Sequence, residues 1–334
     1  MQGRNGFIRI ERRCLLEVLA LAMLMLPWSS NFCHAQNYPT KPLRLVTPYP
    51  PGGAADALSR MLSPKLAEAL GQSVVVENRP GAGGIVAAEM VAKSAKDAHT
   101  IFVADTGQLA IIPAMNPNAP YDPVRDFDPV VRAALAPLFL AVGPASGATN
   151  LAQFVTSARG EKEVFYGSAG NGSAHHIAME SFKLAAQLKL VHIPFKGLAQ
   201  SVPAALSGEI AAISAGLTAV LPHMRSGRLR VLAVITGKRT PLAPEIPSIA
   251  ESGFPNFEMD VAIGLLVPSG SPRPAIARLY DESAKILTAR ETIASMASLG
   301  LEIIADNPSQ YAESMRRDLV RYAGVVKSAA IKAD

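Results

Sequence analysis

Cysteine is nearly absent from this 334-residue chain, which has only Cys14 and Cys33. Everything after position 33 therefore has no disulfide and no thiol chemistry, and must hold together through its core. Long apolar runs are missing too. Beyond the N-terminus nothing approaches the ~18 residues that a membrane span needs. No basic cluster alternates with aromatic residues, which excludes the usual nucleic-acid footprint. There is no internal repeat and no low-complexity linker.

What is there begins with a basic segment, Arg4, Arg9, Arg12 and Arg13, followed by an apolar stretch over 15–26 that only Glu17 interrupts. Pro27 breaks it, and Cys33-His34-Ala35 ends on a small residue. This is the layout of an export signal over 1–35, cleaved after Ala35, with a retained N-terminal anchor as the alternative. Export from the cytoplasm is expected. Without those residues the balance is 28 Lys+Arg against 25 Asp+Glu, or +3, which fits an anionic ligand weakly. The roughly 300 residues that remain suit two α/β lobes better than one core.

The most informative stretch is 44–58. An apolar run over 43–47 reads as a buried strand. Pro50 and Pro51 force an extended exit, and Gly52-Gly53 lets the backbone turn with bare amides. Helical spacing of Leu58, Met61, Leu62, Leu66 and Leu70 follows at once, stopped by Gly71. Strand, glycine turn and helix start together favour an anion, because the free N–H groups and the helix dipole point at it. No lysine, histidine or arginine stands between Thr47 and Leu58, so backbone amides would hold that anion. An ordinary strand-to-helix turn is the bland alternative. Pro64 inside the helix predicts a kink or a shortening.

A second strand over 74–77, a turn over 78–84 and a helix over 85–95 come next, then a strand over 100–104. The alternation predicts a parallel α/β unit. Gly81-Ala82-Gly83-Gly84 lacks the third glycine and the distant acid of a dinucleotide fingerprint and reads as a tight turn. Asp105-Thr106-Gly107 has the aspartic-protease triplet but no second copy to share a proton with. The segment 111–128 reads as irregular. Beyond it, strands are expected over 138–142, 164–167, 190–194, 209–214 and 230–236, with helices between them. Ser168-Ala169-Gly170-Asn171-Gly172-Ser173, ahead of a helix over 175–188, repeats the strand–turn–helix device with Ser173 as N-cap. His175 and His176 are adjacent, point about 100° apart on a helix and cannot chelate one metal from one face. A strand over 257–267 returns to the first lobe, and helices ending with 309–328 finish the chain.

Several segments, in one order from Tyr38 to the last helix, carry a family resemblance. They are Tyr-Pro-Thr-Lys-Pro-Leu-Arg (38–44), Pro-Tyr-Pro-Pro-Gly-Gly-Ala-Ala-Asp (48–56), Val-Glu-Asn-Arg-Pro-Gly-Ala-Gly-Gly (76–84) and Pro-Tyr-Asp-Pro-Val-Arg-Asp-Phe (120–127). Gly-Ser-Ala-Gly-Asn-Gly-Ser (167–173), Val-His-Ile-Pro-Phe-Lys-Gly (191–197), Leu-Pro-His-Met-Arg-Ser-Gly-Arg-Leu-Arg (221–230) and Gly-Leu-Leu-Val-Pro-Ser-Gly (264–270) complete the set. The chain resembles the Bug-type periplasmic receptors of tripartite tricarboxylate transport systems. The resemblance implies a two-lobed, type II-like periplasmic binding protein fold with two crossings. Lobe one would comprise 36–138 and 262–334, and lobe two 139–261. It implies a monomer that captures a small carboxylate and delivers it to membrane transporter subunits, with no enzyme activity, cofactor, metal or nucleic acid. The ligand-facing residues would be Tyr49, Gly52, Gly53, Ala54, Asp56, Thr106, Gly107, Gln108, Ser168, Ala169, Gly170, Asn171, Gly172, Ser173, His175 and Lys196.

The chain departs from that family's pattern at Ala211 and Ala215, where acidic residues are frequent, at Ala262-Ile263, where an aromatic pair is frequent, at Asp97-Ala98-His99-Thr100 and at Pro64. The expectation is a wider, less acidic pocket that refuses amino acids. Two rival readings remain open at this point. One is a receptor that feeds a sensor kinase. The other is a hydrolase using Ser168 or Ser173 with a histidine, although Tyr166 stands where a nucleophile elbow needs glycine.

Overall fold

The structure is a computed structural model that describes residues 38–160 and 162–332. The expected export signal, with Cys14 and Cys33, lies outside the described residues.

Eleven strands are described: β1 (Leu43–Thr47), β2 (Val74–Asn78), β3 (Thr100–Asp105), β4 (Phe127–Leu135), β5 (Leu138–Val142), β6 (Val164–Ser168), β7 (Leu190–Pro194), β8 (Ala212–Gly216), β9 (Arg230–Val234), β10 (Ala262–Pro268) and β11 (Glu302–Asp306). The helices are α1 (Ala54–Leu70), α2 (Ile85–Ala92), α3 (Ile112–Met115), α4 (Leu151–Arg159), α5 (Ala174–Ala186), α6 (Leu198–Ser207), α7 (Leu217–Arg225), α8 (Arg273–Leu287), α9 (Arg290–Ser298) and α10 (Pro308–Ser328).

The strands form two sheets, one per lobe. The first has the order β11-β4-β10-β3-β1-β2 and the second β7-β6-β8-β5-β9. In the first, β1 pairs in parallel with β2 (Leu45 opposite Val76) and with β3 (Leu45 opposite Ile101). Both pairings come from strand–helix–strand units, which cover the faces of a parallel sheet. Strand β10 then runs antiparallel between β3 and β4. In the second sheet β6 is parallel to β7 and β8, while β5 is antiparallel to β8 and β9. The chain passes from the first sheet to the second between β4 and β5, and returns between β9 and β10.

The irregular reading of 111–128 holds over 116–126 and fails at its two ends. That stretch opens with a π-helical turn over Gly107–Ile111 and the short helix α3, and its last residues enter β4. Pro129 hid the strand, since proline removes a ladder donor. Its partner β10 accommodates it: the pairing shifts register between Leu265 and Leu266, where Leu266 meets Pro129. Pro64 is a second difference. Helix α1 runs unbroken through it for 17 residues. Leu58, Leu62 and Leu66 are fully buried on its inner face, and that burial outweighs one lost backbone bond.

Helix α10 serves both sheets. Tyr311 and Met315 in its first half pack with Phe102 and Phe127 under the first sheet. Tyr322 and Val326 in its second half join Phe182 and Phe257 under the second. Asn307 and Gln310 close a capping box at its start, which satisfies two of the orphan amides of the first turn.

Candidate functional site

Strands β1, β2 and β3 are parallel, so their C-terminal ends share one edge, the usual position of a ligand crevice in such sheets. The loops at that edge are held by side chains that the sequence reading had assigned to the ligand. Asp56 is 3% exposed. Its Oδ2 accepts from the Gly52 amide and from Arg60, and its Oδ1 accepts from Asn78. Asn78 Nδ2 also donates to Thr47 Oγ1 and to the Tyr49 carbonyl. Asp56 thus fixes the glycine turn. Desolvation opposes its charge, but Arg60, the Gly52 amide and Asn78 together leave its pKa below the usual carboxylate value.

Gln108 is fully buried and ties three loops together. Its Oε1 accepts from the Asp105 amide, and its Nε2 donates to Tyr49 Oη and to the Gly83 carbonyl. Gly84 packs against it with φ +108°; a Cβ there would lie 2.7 Å from Gln108 Nε2 and 2.8 Å from Pro48 Cβ. Only glycine fits that position. Thr106 is likewise buried. Its Oγ1 accepts from the Ala262 amide at 2.9 Å, which pins β3 to the returning crossing.

Between the two sheets lies a cavity of about 720 Å³. Its first-lobe wall includes Tyr49, Ala54, the turn Ala82-Gly83, Ile85, Asp105 and Gly107, with Ile112, Met115 and Asn116 below them. Its second-lobe wall is Ala169 and Asn171 through His175, and the crossings contribute Ala136, Leu138, Val261 and Ile263. Of the residues expected to face a ligand, the structure brings together Tyr49, Ala54, Gly107, Ala169, Asn171, Gly172, Ser173 and His175. It leaves Gly52, Gly53, Asp56, Thr106, Gln108, Ser168, Gly170 and Lys196 out of the wall. Lys196 is exposed on the turn after β7, and only its backbone amide is engaged, with Gln200 Oε1. Among the described residues no lysine or arginine lines the cavity.

The second-lobe wall is a helix start. Ser173 caps α5, accepting from the His176 amide and donating to the Gly170 carbonyl. Gly172 adopts φ +66° and packs against Met115 from the opposite wall. The amides of Ala174 and His175 have no acceptor among the described residues, as expected of the first turn of a helix. The start of α1 is similar, since its N-cap Gly53 provides no side-chain cap.

Behind this wall Ser168 is buried. Its Oγ accepts from the Gly170 amide and sits 2.7 Å from His192 Nε2. The His192 ring stacks on Tyr166 and, at 3.7 Å, on His176. The Ser168 hydroxyl and the His192 imidazole are therefore packed away from the cavity, and the His192 and His176 rings are kept neutral. Burial first, then Lys183, lowers His192 to about 4, and burial, His192 and Lys183 lower His176 to about 3.

The acidic side chain of the wall is Asp105, which the sequence singles out only as part of a protease-like triplet. Its Oδ1 accepts from the Gly107 amide at 2.7 Å, and it is hydrogen-bonded to the Tyr49 hydroxyl. Burial raises its pKa. Ala211 and Ala215 do not line the cavity, so those departures do not set its acidity. Ala82, Gly83 and Ile85 were also missed. They follow the parallel strand β2 just as Gly52-Gly53 follows β1, and that shared strand edge was the available signal.

Comparison with known proteins places this architecture. A curated protein of Pseudomonas sp. (strain P51), described as the UPF0065 protein in the tcbD-tcbE intergenic region, is 34% identical over 322 residues, covering 95% of this chain and 94% of that one. Protein BugT of Bordetella pertussis is 32% identical over 300 residues, covering 89% and 92%. Among solved structures, R. palustris Rpa4515 with adipate superposes with a TM-score of 0.76 at 31% identity, covering 88% of this chain and 99% of that one. The family described as tripartite tricarboxylate transporter family receptor matches residues 58–331, and the chain belongs to that family of periplasmic solute-binding receptors, which are not enzymes.

Proposed function

We propose that this protein captures an aliphatic dicarboxylate between its lobes and delivers it to the membrane subunits of a tripartite transporter. The observation that carries the reading is the cavity itself. Two helix starts from opposite lobes, those of α1 and α5, meet a mostly apolar space, into which Tyr49, Asp105 and Asn116 also bring polar groups, with no cationic side chain in its wall among the described residues. Uncapped amides at a helix start hold a carboxylate by hydrogen bonds and by the helix dipole. Ile85, Ile112, Met115, Leu138, Val261 and Ile263 would contact the methylenes between two such ends. The volume lies within the roughly 300–1,000 Å³ of small-molecule sites. Adipate in the similar R. palustris protein has that chemistry.

On this reading lobe one comprises 36–138 and 262–334, lobe two is 139–261, and segment 1–35 is removed on export to the periplasm, where the receptor acts as a monomer. Closure of the lobes follows from a ligand that binds the closed form more tightly than the open one. The test is a thermal-shift screen against mono-, di- and tricarboxylates and amino acids. A ligand at 100 times its dissociation constant adds about 2.7 kcal/mol of stability. A shift with dicarboxylates and none with glutamate or aspartate is expected; a shift only with amino acids would overturn the proposal.

A further inference from the structure

His175 is the second residue of α5 and lies in the cavity wall. Its Nδ1 is shut off from solvent and has no hydrogen-bond partner among the described residues. The neighbouring His176 behaves differently: its Nδ1 accepts from the Gly172 amide and its ring stacks on His192, away from the cavity. His175 Nε2 is not shut off in this way and has no partner among the described residues, and the residue itself lines the cavity.

This geometry selects one form of the ring. A proton on Nδ1 would bury an unpaired donor, and unpaired buried N–H groups are the rarer defect compared with unpaired lone pairs. Burial lowers the His175 pKa to about 4, so the ring is neutral near pH 7. The charged and titratable groups across from it in the wall are Asp105 and Tyr49. Lys183 and Glu180, further along α5, pair with each other instead.

We infer that His175 is the specificity-determining side chain of this site, donating Nε2–H to the second carboxylate of the bound dicarboxylate. The inference rests on the dicarboxylate reading above. A monocarboxylate would leave that donor desolvated and unpaired, which predicts a preference of about 10- to 100-fold for the dicarboxylate.

The experiment is titration calorimetry of the purified protein with adipate and with hexanoate at pH 7.0. His175→Gln keeps an N–H donor. His175→Ala removes the donor. The wild type should prefer adipate. His175→Gln should keep the preference, and His175→Ala should lose it. An adipate-to-hexanoate ratio unchanged in His175→Ala overturns the inference and leaves the dicarboxylate reading standing. A wild type that binds no dicarboxylate of four to eight carbons overturns both.

Discussion

Acid should weaken this fold through His176, and the size of the effect can be worked out. The ring is 5% exposed, stacks on His192 at 3.7 Å and accepts the Gly172 amide on Nδ1 at 3.1 Å. Protonation would turn that acceptor into a donor facing a donor. Burial, His192 and Lys183 accordingly lower its pKa from 6.5 to about 3. In the unfolded chain the group returns to 6.5. The unfolded state therefore binds the proton more readily, so the stabilisation is complete above pH 6.5 and declines as pH falls towards 3. At pH 5.5, one unit below the unfolded value, the loss from His176 alone is about 1.4 kcal/mol. His192 adds to it in the same direction. His176→Asn places an amide oxygen near the position of Nδ1, keeps an acceptor for Gly172 and cannot titrate. Urea unfolding at pH 7.5 and pH 5.5 should show the gap between the two conditions shrink by about 1.4 kcal/mol in the variant. An equal gap in both proteins would refute this account of the stack.

Three further outcomes follow from the loop geometry. Gly84→Ala should destabilise the protein by about 1–3 kcal/mol in urea unfolding, because its Cβ displaces Gln108 at a positive φ. Asp56→Ala should cost a similar amount, since it leaves the Gly52 amide and Asn78 without an acceptor; ligand affinity should fall with it, because the glycine turn loses its anchor. Lys196→Ala should leave ligand affinity within twofold by calorimetry, because the side chain is exposed and outside the cavity wall; a tenfold loss would place it in the site after all.

The parts of the site that were legible in the sequence are those in which local chemistry decides position. Gly52-Gly53 after an apolar strand and Ser173 before a helix announce helix starts, and both stand where they were expected. The residues that lie outside the cavity wall there share one cause. Asp56, Thr106, Gln108 and Ser168 sit in ligand-facing motifs, yet their side chains turn inward to hold those loops in shape. A motif does not say which way a polar side chain points; that depends on partners tens of residues away, such as Asn78 for Asp56. Strand β4 was hidden because Pro129 argues against a central strand when read alone, and the register shift that tolerates it belongs to β10. Asp105 was read only as part of a protease triplet, and its place at the end of β3 beside Tyr49 depends on the sheet order. The acidity of the pocket was sought at Ala211 and Ala215, which lie elsewhere, because no sequence spacing reports which side of a strand meets the opposite lobe.

The central claim is that a carboxylate is held between the lobes by helix-start amides without a cationic side chain. A crystal structure of the protein with adipate tests it most directly. The account predicts one carboxylate within about 2.7–3.2 Å of amides at the start of α1 or the turn Ala82-Gly83, and the other at the start of α5 beside His175. Adipate paired with a lysine or arginine side chain, or bound outside this cavity, would contradict it.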